Sequence, residues 1–309
     1  MLSQFELTDA DRIAVRNMLV EIGRHQENLE ETAFLDRAAL LAQELPIRIR
    51  EVFYEFKLRE TSPGLLITDN PVSPEDVGPT PTAHWRQGEK RPLNLPQLLH
   101  GLYSSLLGEP FGFETQQGGR VFNDLISIPG SRDNASSGAG KVGLHTEDCF
   151  QPFMPDYLGF MCLRNEQHAV TTFSFLQNID IPPSVRCTLS EKYCASTKSN
   201  QQAILFGDVE RPYLRYGAVD FDPKCDGDKI AAMHFLSDAL HRNIQTITLS
   251  QGDCLYLDNF VAVHGRAPFE AEYGANGRWF SRLVMVRDLR RTRSFRAAPE
   301  TRVMLKSRY

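Results

Sequence analysis

The chain has 309 residues, 41% apolar and 24% charged, which is enough for one large domain with a sizeable core or for two small ones. A net charge of −5 without any basic tract argues against nucleic acid as the main partner. No basic segment followed by an apolar one opens the chain, and no apolar run approaches membrane-spanning length, so a cytoplasmic protein with no membrane partner is expected.

Taken in chain order, residues 8 to about 60 are expected to form two helices. One runs from Asp9 to about His25 and the other from about Glu31 to Lys57, where Leu35, Ala38, Leu41, Leu45, Ile49 and Phe53 recur at helical spacing. Gly64–Thr68 has the pattern of a strand, Pro71–Pro81 is a Pro-rich connection, and Leu95–Leu107 is an amphipathic helix closed by Gly108-Glu-Pro110. From about Val121 the pattern changes to short apolar runs at Val121–Ile128, Leu158–Leu163, Val170–Leu176, Ala203–Phe206, Ile244–Leu249, Cys254–Leu257 and Trp279–Val286. Turn residues separate most of these, and one helical segment, Lys229–Arg242, interrupts them, which indicates a β-sandwich or barrel. Thr246–Leu249, the turn Ser250-Gln-Gly-Asp253 and Cys254–Leu257 are expected to form a hairpin. The six cysteines (149, 162, 187, 194, 225 and 254) include no C-x-x-C pair and are expected to be reduced thiols rather than disulfides or a zinc site.

The candidate chemistry lies in His145-Thr146-Glu147 with the distant Asp258-Asn259 and His264-Gly265-Arg266. Two imidazoles and a carboxylate can hold Fe(II) on one face and leave the other open. The short motif is weak alone, since eight histidines give about one H-x-[DE] by chance. A second copy, His25-Gln26-Glu27, is indeed present. Geometry separates the two, because residues i and i+2 share a face on a strand but lie about 200° apart on a helix. His25 falls in helical sequence, whereas His145 follows the strand-like Lys141–Leu144 after a loop, Ser131–Gly140, rich in Ser, Gly and Asn. Fourteen residues past His264 lies Arg278, on a strand whose alternation also brings Phe280 and Arg282 to its face. Two guanidinium groups aimed into a β-fold call for anionic partners, and a dicarboxylate would supply them. The alternative places both arginines on an outward strand face.

Together these pieces resemble an Fe(II)/2-oxoglutarate-dependent oxygenase of the clavaminate synthase-like family, which includes bacterial arginine and asparagine β-hydroxylases. The matching segments run through most of the chain: Gly64-Leu-Leu-Ile67, Pro79-Thr-Pro81, Gly108-Glu-Pro110, Gln116-Gln-Gly-Gly119, His145-Thr-Glu147, Pro155-Asp-Tyr-Leu158, Cys162-Leu-Arg164, Ile204-Leu-Phe-Gly207, Tyr213-Leu-Arg215, Gly252-Asp253, Asp258-Asn259, His264-Gly-Arg266, Arg278-Trp279 and Asp288-Leu-Arg-Arg291. The resemblance implies a mainly β fold with flanking α-helices: a double-stranded β-helix (jelly-roll) core over about 121–290, with a helical insert near 229–242. The mostly helical residues 1–110 would pack on it, in a single domain spanning 1–309.

Carried onto this chain, the family pattern implies His145, Glu147 and His264 as iron ligands, with 2-oxoglutarate as co-substrate and O2 as oxidant. It implies Arg278 as partner of the distal oxoacid carboxylate, with Thr171, or its neighbour Thr172, as hydroxyl donor. Arg282 would hold a substrate carboxylate or support Arg278, and Ser136 and Ser137 would lie at the substrate mouth. Amino-acid hydroxylases of this family commonly carry Gln where this chain has Phe122, and Asp where it has Gly217. Asp220 and Asp222 could substitute for that Asp, or belong to a solvated acidic loop. Loss of polar groups at 122 and 217 favours a less charged small-molecule substrate, such as a capped or cyclic dipeptide in a natural-product pathway, with β-hydroxylation of a free basic or polar amino acid as the alternative. From other classes, a zinc-dependent hydrolase or a non-catalytic β-barrel binding protein could use the same donor set.

Overall fold

The computed structural model describes residues 1–26, 28–84, 93–151, 153–192, 202–217 and 227–305. Strand β1 (Ser3–Glu6) leads into helix α1 (Asp9–Gly23), which opens on a capping box between Thr8 and Asp11. The single helix expected over Glu31–Lys57 is instead two, α2 (Thr32–Leu41) and α3 (Ile47–Arg59). Pro46 breaks it: proline lacks the N–H a helix needs and pushes the preceding residue to extended backbone, as at Leu45 (φ −59°, ψ 148°). Strand β2 (Gly64–Thr68) follows, then the single turn α4 (Pro74–Val77) inside the Pro-rich connection, and helix α5 (Leu95–Leu107).

The β-rich part begins at β3 (Glu109–Phe113), which the apolar pattern had not indicated, and continues through β4 (Asn123–Ile126), β5 (Val142–His145), β6 (Tyr157–Arg164) and β7 (Thr171–Phe175). Helix α6 (Pro183–Ser190), the hairpin strands β8 (Leu205–Gly207) and β9 (Pro212–Leu214), and helix α7 (Gly227–Arg242) come next. The chain then forms β10 (Gln245–Ile247), β11 (Cys254–Asp258), β12 (Ala262–Arg266), β13 (Trp279–Val286) and β14 (Val303–Met304).

The result is a mixed helix-and-sheet protein. Its larger sheet has the order β1-β2-β11-β6-β13-β3-β14, with β4 also paired to β13, and its smaller sheet the order β10-β7-β12-β5. The expected hairpin between Thr246–Leu249 and Cys254–Leu257 does not form: β10 pairs with β7 in the smaller sheet, while β11 lies between β2 and β6 in the larger. Every residue of β11 is buried, so that strand needs neighbours on both edges, whereas β10 leaves Thr246 exposed and serves as an edge.

Strand alternation sorts side chains between two cores. On β6, β11 and β13 the residues Leu158, Phe160, Leu255, Leu257, Phe280 and Val284 join Phe173, Phe175 and Ala262 of the smaller sheet in a core between the sheets. Their alternates Tyr157, Met161, Tyr256, Trp279 and Leu283 meet α1, α2, α3 and α5 in a second core. Both faces of the larger sheet are therefore buried, one against helices and one against β-strands. The functional residues belong to the face between the sheets.

Candidate active site

His145 ends β5 and His264 lies on β12. They are direct partners across the antiparallel pair, with ring centroids 4.3 Å apart. Glu147, two residues past His145, returns to the same side. Thr146 between them turns away, fully buried, and pairs with Tyr216 through Thr146 N–H to Tyr216 O (2.7 Å) and Tyr216 N–H to Thr146 Oγ1 (3.0 Å). Glu147 Oε2 lies 3.3 Å from His264 Nε2 and 3.9 Å from His145 Nε2. Among the described residues this is the one group of three or more His, Cys, Asp or Glu side chains whose donor atoms lie within 4.8 Å of one another. The competing His25 is exposed beyond the end of α1, where its neighbour is Glu21 at 3.7 Å; Glu27 lies outside the described residues.

Each donor is held by its surroundings. His145 Nδ1 lies 2.9 Å from Gly143 O, so that nitrogen carries the proton and leaves the Nε2 lone pair facing Glu147. Asn259 clamps the Glu147 backbone: its Oδ1 accepts from Glu147 N–H (2.7 Å) and its Nδ2 donates to Glu147 O (3.1 Å) and Pro155 O (2.9 Å). Glu147 Oε1 accepts from Arg282 Nη1 at 2.7 Å, leaving Oε2 for another partner. Burial pushes the Glu147 carboxyl up, but the guanidinium of Arg282 beside it pulls it well below the usual carboxylate range and holds the group ionised. Burial, reinforced by His145, pushes His264 down to about 4 and keeps that imidazole neutral. A neutral imidazole beside an ionised carboxylate is a donor set for a divalent transition metal.

The same pocket contains a cation without a counter-charge. Arg278, one residue before β13, is 5% exposed, and its guanidinium carbon sits 4.2 Å over the Phe280 ring. It makes no hydrogen bond or ion pair among the described residues, and its Nε is buried and unpartnered. Burial, with Arg266 nearby, pushes its pKa down to about 9. Thr171 lines the pocket with Leu125, Val142 and Phe160. Alternation along β7 puts Thr171, Phe173 and Phe175 on the inner face and Thr172 on the other, which decides between the two threonines as pocket residues. A metal-donor cluster and a buried free guanidinium in one pocket suit a ligand that chelates at one end and carries a carboxylate at the other.

No protein-family model matches the chain. Enduracididine beta-hydroxylase of Streptomyces hygroscopicus is 30% identical over 335 residues, covering 96% of this chain and 98% of the relative. L-ornithine/L-arginine 3-hydroxylase of Catenulispora acidiphila is 30% identical over 98% of this chain and 100% of its own length. The non-heme iron oxygenase OrfP, solved with Fe and alpha-ketoglutaric acid, superposes with a TM-score of 0.90 at 31% identity, covering 98% of this chain and 100% of that one. OrfP solved with Fe and L-Arg gives a TM-score of 0.87. The chain belongs to the clavaminate synthase-like Fe(II)/2-oxoglutarate-dependent oxygenases. A zinc hydrolase and a non-catalytic binding protein, the other readings of the donor set, fall away.

Of the residues expected at the oxygenase's substrate site, Arg282 lines the pocket and Phe122 does not. Phe122 is 1% exposed and packs into the helical core, where a Cβ at Gly101 of α5 would come within 2.9 Å of its ring. Alternation is the reason: Asn123 and Leu125 face the pocket side, and Phe122 faces the helices. Gly217 marks a close approach, since a Cβ there would meet Cys149 Sγ at 2.3 Å. Ser136 and Ser137 spend their hydroxyls within their own loop, on Asp133 and on Ser131 Oγ, and it is Ala135 that reaches the pocket. Asp220 and Asp222 lie outside the described residues. Arg282 supports Glu147 rather than Arg278, and also donates to Gln116 Oε1 (2.7 Å) and Asn123 Oδ1.

Three contributors had no role assigned from sequence. Asn259 and Arg266 stood inside recognised motifs, and Gln116 inside Gln116-Gln-Gly-Gly119, but only the fold reveals their targets. Arg266 Nη2 lies 2.8 Å from the carbonyl oxygens of Asn134, Gly138 and Gly140, shares its two hydrogens among them, and so fixes the loop that carries Ala135.

No helix among the described residues is long and apolar enough to cross a membrane.

Proposed function

We propose that the oxygenase hydroxylates C3, the β-carbon, of free L-arginine or a closely related cationic amino acid. The observation that carries this reading is the end-to-end similarity to hydroxylases named for arginine, ornithine and enduracididine. The sequence-based preference for a capped or cyclic dipeptide rested on Phe122 and Gly217; Phe122 packs into the helical core, and Gly217 lies close against Cys149.

In this reading His145, Glu147 and His264 hold Fe(II), and Arg278 with Thr171 receives the distal carboxylate of 2-oxoglutarate. The orphaned Arg278 guanidinium and the converging donor atoms both fit those groups. When bound, Fe(II) and 2-oxoglutarate supply an O2-derived oxidant for C–H cleavage, with succinate and CO2 as by-products. The protein's own work is orientation and exclusion of water. Leu125, Val142, Phe160 and Phe280 give the pocket apolar walls. The Nη2 group of Arg282 is engaged by Gln116 and Asn123, and its Nη1 by Glu147, which leaves the Nε–H for a substrate carboxylate. Counter-charge for the cationic end is assigned, in this reading, to Asp220 and Asp222. The facing sheets are read as the jelly-roll core of one domain spanning 1–309. A cytoplasmic setting suits the described cysteines, which are all free.

A screen for substrate-stimulated succinate formation tests the proposal. Arginine and its analogues should stimulate turnover well above cyclic and capped dipeptides, and the reverse order would overturn the substrate assignment.

A further inference from the structure

Gln116-Gln-Gly-Gly119 has no part in the reaction as described, yet its side chains are tied into the site. Positive φ angles at Gln117, Gly118 and Gly119 (45°, 71° and 87°) turn the chain sharply after β3 and send two consecutive glutamines to different targets. Gln117 clamps β4, donating to Asp124 O (2.8 Å) and accepting from Asp124 N–H (3.0 Å). Gln116 instead joins two ionisable groups. Its Nε2 donates to Asp148 Oδ1 at 2.6 Å, and its Oε1 accepts from Arg282 Nη2 at 2.7 Å.

We propose that Gln116 is a positioning residue that holds Arg282 on the outer oxygen of Glu147, so that this carboxylate offers the metal one oxygen only. The inference rests on Glu147 being a metal ligand. A carboxylate free to rotate can bind through both oxygens, and doing so would fill a position that the oxoacid or O2 requires. Arg282 prevents this rotation: Nη1 holds Oε1 at 2.7 Å while Oε2 faces His264 at 3.3 Å. The planar guanidinium must itself be fixed, and both Nη2 hydrogens are used for that, on Gln116 and on Asn123. Asn123 is anchored through its Nδ2 to Arg120 O (2.8 Å). Gln116 is anchored to Asp148, which is 3% exposed and follows Glu147 in the chain. The path Glu147–Arg282–Gln116–Asp148 thus closes on itself through one peptide bond.

The polarity of this ring requires an amide at position 116. One end must donate to a carboxylate and the other must accept from a guanidinium, without adding charge. Gln116→Glu keeps the acceptor for Arg282 but sets two carboxylates against each other. Adding Asp148→Asn supplies an amide donor opposite the new carboxylate and restores the pattern with its direction reversed. Gln116→Met removes both ends and leaves nothing for Asp148→Asn to repair.

The test combines Co(II) affinity and the visible d–d spectrum of the Co(II)-loaded protein, which reports coordination number, with the ratio of hydroxylated product to 2-oxoglutarate consumed by the Fe(II) enzyme. Gln116→Glu and Gln116→Met are each expected to weaken metal binding on the order of tenfold, alter the spectrum and lower the product ratio. Asp148→Asn should reverse these changes in the first background and not in the second. A wild-type spectrum, affinity and product ratio in both single variants would overturn the proposal, as would an effect of Gln116→Glu that Asp148→Asn leaves untouched. Wild-type metal affinity in Glu147→Ala would instead overturn the ligand assignment beneath it.

Discussion

Arg278→Met should make the ligand-free protein more stable while abolishing its response to 2-oxoglutarate. The guanidinium is buried, unpaired among the described residues and next to a second cation, Arg266, so it is charged at a cost. Taking such an ion out of water costs on the order of 5 kcal/mol, and contact with the Phe280 face at 4.2 Å returns about 1–2 kcal/mol. Roughly 3 kcal/mol therefore stays unrelieved until a carboxylate arrives. Methionine fills much of the same volume without the charge, so the ligand-free variant should gain about 1–3 kcal/mol, or roughly 2–6 °C in Tm for a chain of this size. In the wild type, a carboxylate forming two charge-assisted hydrogen bonds gains about 1.5–3 kcal/mol from each, so the variant's KM for 2-oxoglutarate should rise by at least about a hundredfold. Thermal melts with metal, with and without 2-oxoglutarate, read both effects in one experiment. A variant that keeps a wild-type thermal shift on adding 2-oxoglutarate would refute the anion-site reasoning. A ligand-free variant markedly less stable than wild type would show that Arg278 is paired in the resting protein.

Three further outcomes follow from particular contacts. Asn259→Ala removes all three bonds around Glu147 and Pro155, and should cost about 1–3 kcal/mol in denaturant unfolding and on the order of tenfold in metal affinity by calorimetry; unchanged metal affinity would show that the clamp does not position Glu147. Gly217→Ala forces a Cβ against Cys149 Sγ and should destabilise by about 1–3 kcal/mol, with Cys149→Ala in the same chain restoring most of the loss. Burial pushes the Asp258 carboxyl up to about 7, so its ionisation weakens the fold progressively as pH rises from the ordinary carboxylate range through 7. Asp258→Asn should accordingly gain in Tm relative to wild type across that window and hold a constant lead above it; a lead that shrinks as pH rises would contradict the sign.

Much of the site could be read in the sequence because strand geometry is simple. The period of two that places His145 beside Glu147 also places Arg278, Phe280 and Arg282 on one face, and both groupings appear in the pocket. The same rule applied to Phe122 needed one more fact, namely which face of β4 looks inward, and that depends on helices distant in sequence packing on the other side. The other face of the same strand is buried too: Trp279 and Leu283 pack against α5 and its neighbours while Arg278, Phe280 and Arg282 line the pocket. Pairing partners were hidden for a similar reason: Ser250–Asp253 has the composition of a hairpin turn, yet it carries the chain from one sheet to the other. Asn259, Gln116 and Arg266 act through bonds spanning roughly a hundred residues or more, and no local pattern specifies those partners.

The most direct measurement is mass spectrometry of L-arginine after incubation with the Fe(II)-loaded enzyme and 2-oxoglutarate under ¹⁸O2, with fragmentation to locate the label. An oxygen-18 hydroxyl on C3, formed with succinate and absent in His264→Ala, is the expected result. Unchanged arginine despite active 2-oxoglutarate turnover with another substrate would contradict the substrate assignment, and a full yield of labelled product from His264→Ala would contradict the metal site.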